Sequence, residues 1–482
     1  MPKKFQKKYV TVTTLFFATA TLLVLIYLFL ANGSILLRLA FSILILVVSG
    51  HLIATVNGLN NSYGVYLLGG KGGIKFIDKI SKSHKKLWIM FSDWGLAFSF
   101  GILAHFMFKK QISKKMLAFG IFSIIIVLVF VYSYLPLVLA FINIPQVTSG
   151  ISSAQSQSVN LFYYAIFFVA CVIGGFSLVT MVVFIFDSGV TVLAAFESIK
   201  CFLQANPGCQ SILAQQVPGI APVIPGITIP LFSGIIAFVI LVVVHEFSHG
   251  VIARIEKVKI KRVGVLLFGI IPLGAFVEPD EKEVKKLSID AQDRISIAGI
   301  SANVLTSLFF FVITILILYY VQPNISTYGV KVIGLVNNYP ANGVIALNST
   351  ITGWNNITIR NDFDLSKAEA GYVPGTKVNL TTNLGTFTLV PANTGQLGVY
   401  LAPAVTTLSY QIMNFIYAIA VLSFGLNFFI AIINLWPVPG FDGLRIYKNR
   451  IKSKKLINAL SVLIIIALIV NILLLLWKIG GH

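Results

Sequence analysis

The sequence predicts a mainly α fold, a polytopic membrane helix bundle of about nine spans with one small β-rich domain inserted outside the bilayer. Three observations predict it. Of the 482 residues, 57% are hydrophobic and 11% are charged, with a mean hydropathy of +0.90. Soluble domains carry roughly a quarter charged residues. Apolar runs long enough to cross roughly 30 Å of hydrocarbon recur along the chain. Residues 325–405 break that texture, being polar and rich in Asn, Thr and Gly.

The runs fall at about 9–30, 35–56, 88–108, 116–143, 158–186, 231–253, 295–321, 410–436 and 456–477. Four lysines in Met1–Lys8 precede the first run. That run is too long for a signal-peptide core, so it reads as a retained helix. Gly264 to Val277 is apolar but too short to span, and Gly264, Gly269, Pro272 and Gly274 break it. It suits a re-entrant loop buried in protein or lining a wet cavity, or else a kinked half-helix. No internal repeat stands out.

The formal net charge is +20, and the lysines cluster at the ends of apolar runs. That placement reads as membrane orientation, so the lipid bilayer is the expected partner and nucleic acid is not. Arg254, Lys257, Lys259, Lys261, Arg262, Lys282, Lys285, Lys286 and Arg294 put one loop in the cytoplasm. A second basic cluster runs from Arg445 to Lys455. Residues 322–409 hold four basic residues and sequons at Asn324, Asn348, Asn356 and Asn379, and are expected outside. Lys109, Lys110, Lys114 and Lys115 fit poorly. Helix counting from a cytoplasmic N-terminus places them outside, so either the rule fails there or residues 88–108 do not span. Cys171 reads as packing. Cys201 and Cys209 flank a polar Asn-Pro-Gly turn, as a loop disulfide or as two free thiols.

The polar stretch shows short alternating segments such as Thr386-Phe387-Thr388-Leu389. Turn signals stand at Tyr339 to Gly343 and Pro374 to Lys377. This is enough chain for one small domain.

The sharpest chemical signal is His245-Glu246-Phe247-Ser248-His249. Residues four apart share a helix face, so both imidazoles can bind one zinc ion. Glu246, offset by one position, can reach a water on the metal as general base and then protonate a leaving amine. The motif follows fourteen residues, Leu231 to Val244, in which only Ser233 is polar. Ionisable groups at membrane depth are functional by default; the bland alternative is a solvated interfacial cluster. A catalytic zinc needs a third protein ligand. Asp442 offers one in Asn434-Leu435-Trp436-Pro437-Val438-Pro439-Gly440-Phe441-Asp442-Gly443, where prolines and glycines break the helix. The same sequence also reads as an ordinary exit turn. His51 and His105 read as interfacial, and Asp93 and Asp187 as helix-end groups.

Four pieces in this order resemble the site-2 protease family, and its archaeal branch in particular. They are His245 to Gly250, Gly274-Ala275-Phe276-Val277, Gly299-Ile300-Ser301-Ala302-Asn303, and Asn434 to Gly443, over roughly residues 217–455. The resemblance implies an intramembrane zinc metalloendopeptidase with one catalytic Zn2+ held by His245, His249 and Asp442, and with Glu246 as base. It implies that Asn303 and Asn434 line the cleft and hold substrate backbone or an oxyanion; for Asn303 a plain helix-packing hydrogen bond is the alternative. The broken stretch looks like the family's re-entrant β-element, which pairs with an unwound substrate. The polar insert resembles a PDZ-like α+β domain that binds peptide ends. Four parts follow: N-terminal membrane helices outside the minimal core (1–200), the first half of the core (201–324), the extracytoplasmic PDZ-like domain (325–405), and the second half of the core (406–482). The implied substrates are transmembrane proteins or peptides, cut within the cell membrane toward its cytoplasmic side. Two other readings compete. A metal transporter needs ionisable residues along several spans, whereas here they concentrate at one constellation. A catalytically silent peptide-binding scaffold need not keep Glu246.

Overall fold

A computed structural model describes residues 3–30, 35–70, 72–139, 161–204, most of 213–230, and 231–479 apart from 322–326, 337–338, 393–394 and 405–406. Cys209 and Asn324 lie outside the described residues. The apolar runs fold as helices, because a helix satisfies its own backbone where no water can. Six helical segments among the described residues are long and apolar enough to cross a membrane: Thr11–Leu28, Ile166–Leu203, Leu231–Ile255, Ile289–Val321, Leu408–Asn434 and Lys454–Lys478. Their outward faces carry Leu15, Phe16, Phe186 and Leu193, all about two-thirds exposed or more. Such apolar surface belongs against lipid.

The structure divides into two compact units, Met1–Ser307 with Gly425–His482, and Leu308–Phe424. The first unit opens with α1 (Lys3–Leu30) and α2 (Ile35–Val56), then β1 (Asn61–Ser62), β2 (Val65–Gly70) and α3 (Gly72–Lys82). The expected span at 88–108 is broken into α4 (Lys85–Phe100) and α5 (Leu103–Met107). The break sits at Gly101, whose φ is 55°, and the Ile102 N–H donates to the Val172 carbonyl, 3.0 Å away. After α6 (Lys114–Leu139) comes α7 (Leu161–Leu203), kinked at Gly175 with φ 65°. A β-carbon on Gly175 would collide with the backbone of Ser99, and one on Gly101 with that of Val172. The two irregular points therefore fit each other, and 88–108 cannot form one straight span of the expected length.

The chain continues through α8 (Leu231–Ile255) into β3 (Ile260–Phe268) and β4 (Ile271–Pro279). The broken apolar stretch is thus a β-hairpin, turning at Gly269 with φ 60°. The sheet order is β1-β2-β3-β4, antiparallel throughout. β2 covers the outer edge of β3, and Gly264 permits its approach, since a β-carbon there would strike the Leu68 carbonyl. The other edge of β4 faces α8.

Next come α9 (Glu281–Val284) and α10 (Ile289–Leu316); α12 (Leu408–Asn434), α13 (Asp442–Arg450) and α14 (Lys454–Ile479) follow the second unit. Ion pairs tie helix ends together. Arg450 reaches Asp293 at 2.5 Å and Asp290 at 2.6 Å, and its guanidinium lies 4.7 Å from the centre of the Phe108 ring. Arg294 bonds Glu256 at 2.9 Å, and Arg254 bonds Asp78 at 2.5 Å.

The second unit carries a sheet in the order β10-β5-β6-β8-β9, with β7 beside β6. Its strands are β5 (Val330–Leu335), β6 (Thr350–Trp354), β7 (Ile357–Thr358), β8 (Val378–Thr382), β9 (Gly385–Leu389) and β10 (Val399–Pro403). The alternation at Thr386 to Leu389 forms β9, as its period of two requires. One helix, α11 (Asp362–Ala370), is capped by the Asn361 side chain, which accepts from Asp364 N–H at 2.9 Å. Val332, Ile351, Trp354, Leu365 and Leu380 form the core. Hydrogen bonding from Arg360 holds the Asp364 carboxyl below the usual range. Burial pushes that of Glu369 up to about 6.

Candidate metal centre

The centre is built from two segments far apart in sequence. α8 stays helical through its polar end, so His245 and His249 stack one turn apart, with Nε2 atoms 3.1 Å from each other. Asp442 is the first residue of α13. Its Oδ2 lies 3.1 Å from His245 Nε2 and 3.3 Å from His249 Nε2. Each imidazole side chain keeps 12% of its surface exposed and Asp442 keeps 26%, so the group is sheltered but reachable.

The turn that delivers Asp442 is held on several sides. Gly440 takes φ 95°, where a side chain would be strained. Gly443 packs so closely under the Leu435 carbonyl that a β-carbon would not fit. Trp436 stacks on Phe184 with centroids 4.8 Å apart and donates to Thr180 Oγ1 at 3.2 Å. Ser177 donates to the Leu435 carbonyl at 3.2 Å, and Ser461 donates to the Pro437 carbonyl. Three of these braces come from α7. α7 therefore braces the turn that delivers Asp442.

α10 backs the two imidazoles. His249 Nδ1–H donates to the Ile295 carbonyl at 2.7 Å, which fixes the tautomer and leaves Nε2 a lone pair. A β-carbon on Gly299 would stand 2.5 Å from His249 Nε2 and 2.7 Å from His245 Nε2. Only glycine leaves that space open. Two nitrogen lone pairs and a carboxylate oxygen, all within 4.8 Å of one another, form a donor set suited to a metal ion.

The sequence profile described as Peptidase family M50 matches residues 233–476, from α8 through the hairpin and α13 into α14. The chain belongs to peptidase family M50. That family is one of membrane metalloproteases, and the helices of this member make it a multi-pass membrane protein. An uncharacterized protein of Methanocaldococcus jannaschii is 30% identical to this M50 chain over 243 residues, 48% of this chain and 62% of the relative. The match thus spans less than two thirds of that relative's length.

Other residues singled out from sequence take varied places in this M50 member. Glu246 lies beside the group, and its Oε2 accepts the Val277 N–H of β4 at 3.2 Å. Asn303 is fully buried, with Nδ2 3.0 Å from His245 Nδ1. Asn434 ends α12 half-buried, and no hydrogen bond joins it to the three donors among the described residues. Asp93 pairs with Arg294 and Gln111, and His51 with Asn61; neither joins the centre. Asp187 lies inside α7 rather than at a helix end. Sequence reading gave no role to Ile295, to the Val277 amide or to Gly299 singly. The four-residue spacing of Ile295, Gly299 and Asn303 was the available signal.

Proposed function

We propose that this M50 member is a zinc-dependent intramembrane endopeptidase that hydrolyses peptide bonds within or next to transmembrane segments of membrane proteins. The convergence of Asp442 on His245 and His249, which with Glu246 stand on a helix long and apolar enough to span, supports this reading most. His245, His249 and Asp442 would hold the ion. A zinc ion held there would supply Lewis acidity to the scissile carbonyl and lower the pKa of water.

The remaining work falls to the chain. Glu246 removes a proton from the attacking water and passes it to the leaving amine. A helical substrate hides its amides in internal hydrogen bonds, so its backbone must be extended before it is cut. The edge of β4 that faces α8 offers replacement bonds by strand addition. Asn434 lines the cleft. The unit built on β5–β10 acts as a PDZ-like outer domain that captures peptide ends or excludes bulky ones. The basic residues from Arg254 onward orient the active site toward the cytoplasm of the cell membrane.

Zinc content and cleavage of a model transmembrane peptide test the reading, comparing wild type with Glu246→Gln. The variant is expected to keep its metal and to lose activity by roughly 100-fold or more, because glutamine cannot shuttle a proton. Metal-dependent ion flux without cleavage would favour a transporter instead.

A further inference from the structure

α10 presents three features at four-residue intervals on one face: the Ile295 carbonyl, the bare backbone of Gly299 and the Asn303 amide. The first sets His249, by accepting its Nδ1 proton at 2.7 Å. The third meets His245 at the corresponding atom, with the Asn303 amide 3.0 Å from Nδ1. The two ring nitrogens lie on opposite sides of an imidazole. Asn303 therefore stands behind His245, away from Nε2 and from the place where the three donors converge. Being fully buried, it has no surface to offer a substrate.

A side-chain amide can present either end after a half-turn, and its hydrogen bonds decide which. If Nδ2–H donates to Nδ1, the ring proton moves to Nε2 and points at Asp442. That is a closed, metal-free arrangement. It leaves Asn303 Oδ1 buried without a partner. If Oδ1 accepts from Nδ1–H, Nδ2 takes the unpartnered position instead and Nε2 turns its lone pair to the metal position, so it is the lone pair a metal needs, and not the count of satisfied atoms, that separates the two states. Outer partners of this kind fix the ring and raise the basicity of a metal-binding histidine.

We propose that Asn303 is a positioning residue that holds His245 in its metal-binding tautomer, its amide oxygen accepting the Nδ1 proton. The assignment rests on the metalloprotease reading above and replaces the oxyanion role that family resemblance implies for this residue. The two roles separate experimentally. An oxyanion donor acts on turnover and leaves metal affinity alone. A positioning acceptor acts on metal affinity even where no substrate is present.

The test is Co2+ titration of the full-length protein in detergent after chelator stripping, followed by d–d absorption, for wild type, Asn303→Leu and Asn303→Asp. Asn303→Leu has no acceptor and is expected to bind Co2+ about 10- to 100-fold more weakly. Asn303→Asp keeps an acceptor and is expected to bind within about threefold of wild type, since carboxylate serves histidine ligands the same way. Unchanged binding by Asn303→Leu would overturn the assignment. If Asn303→Leu does not fold, Asn303→Asp still decides, because a tenfold loss there would also overturn it. Absence of Co2+ binding by the wild type would overturn the metal centre itself, and this assignment with it.

Discussion

Arg450 Nε lies 2.5 Å from Asp293 Oδ2, and Asp293 has no exposed surface. Asn449 donates to the same carboxylate at 2.7 Å, and Arg450 also bonds Gln111 at 3.2 Å. The nine-residue helix α13 thus begins with Asp442 at the metal centre and ends in a buried ion pair with α10. One short helix links the third donor to the element that backs the two imidazoles.

Removing Arg450 would leave the Asp293 carboxylate buried without its cation, whereas removing Asp293 leaves Arg450 its bond to Asp290. Arg450→Leu is expected to destabilise the protein by about 3–5 kcal/mol. Arg450→Leu combined with Asp293→Leu is expected to cost less than the two single changes added together. Chemical unfolding in detergent gives the energies, and dialysis against a chelator tests whether loosening α13 also releases metal sooner. Strict additivity would show that the pair does not act as a unit.

Gly299→Ala makes a sharper prediction, because alanine is ordinarily the better helix former by about 1 kcal/mol. Here the new methyl group would stand within 2.7 Å of both imidazole Nε2 atoms. Metal occupancy is expected to collapse while helicity and unfolding midpoint hold or rise slightly. Metal analysis beside circular dichroism separates the two. A variant that retains full metal would mean that the imidazoles stand further from α10.

The difference in legibility between these residues has a physical cause. His245, Glu246 and His249 can be read from sequence because helical periodicity fixes how neighbours on one helix face each other. Asp442 can be read only as a carboxylate after a chain break; its meeting with the histidines depends on a turn braced by Ser177, Thr180 and Phe184. Strand β2 is harder still. Its apolar Val65 to Leu68 run carries a weak local signal, and its partner in β3 lies almost two hundred residues away. The contact of Asn303 with His245 depends on how α8 and α10 rotate against each other, which no local pattern encodes. The span expected at 88–108 fails for a related reason, since Gly101 breaks to match a kink in α7.

Glu369 gives a pH test confined to the unit built on β5–β10. Burial raises its folded pKa from 4.5 to about 6. A raised carboxyl favours the folded state while it is neutral, so its contribution is complete below 4.5 and is lost as pH rises through about 6. Glu369→Gln mimics the neutral form. In hydrogen exchange on the full protein, amides of β8 and β9 are expected to exchange more slowly in the variant than in wild type at pH 7.5. The two should converge near pH 4.5. A rate ratio constant across that window would mean that Glu369 is solvated.

Topology provides the last prediction. His245 is fourteen positions after Leu231 and nine before Arg254. At 1.5 Å per residue these are about 21 Å and about 13 Å along the helix. By the positive-inside rule Arg254 and the cations that follow it would hold the nearer end in the cytoplasm, so the centre is expected toward that face, with water entering from that side. A cut there would free a cytoplasmic product. Ile252 and Ile260, although well placed in sequence, are buried and make poor reporters. Lys259 is exposed beside them, and Leu384, between β8 and β9, is 60% exposed. Each is replaced by cysteine in a background lacking Cys171, Cys201 and Cys209, and intact cells are treated with an impermeant thiol reagent. Leu384→Cys is expected to react from outside and Lys259→Cys only after lysis. Labelling of Lys259→Cys in intact cells would invert the orientation and move the metal centre toward the opposite face.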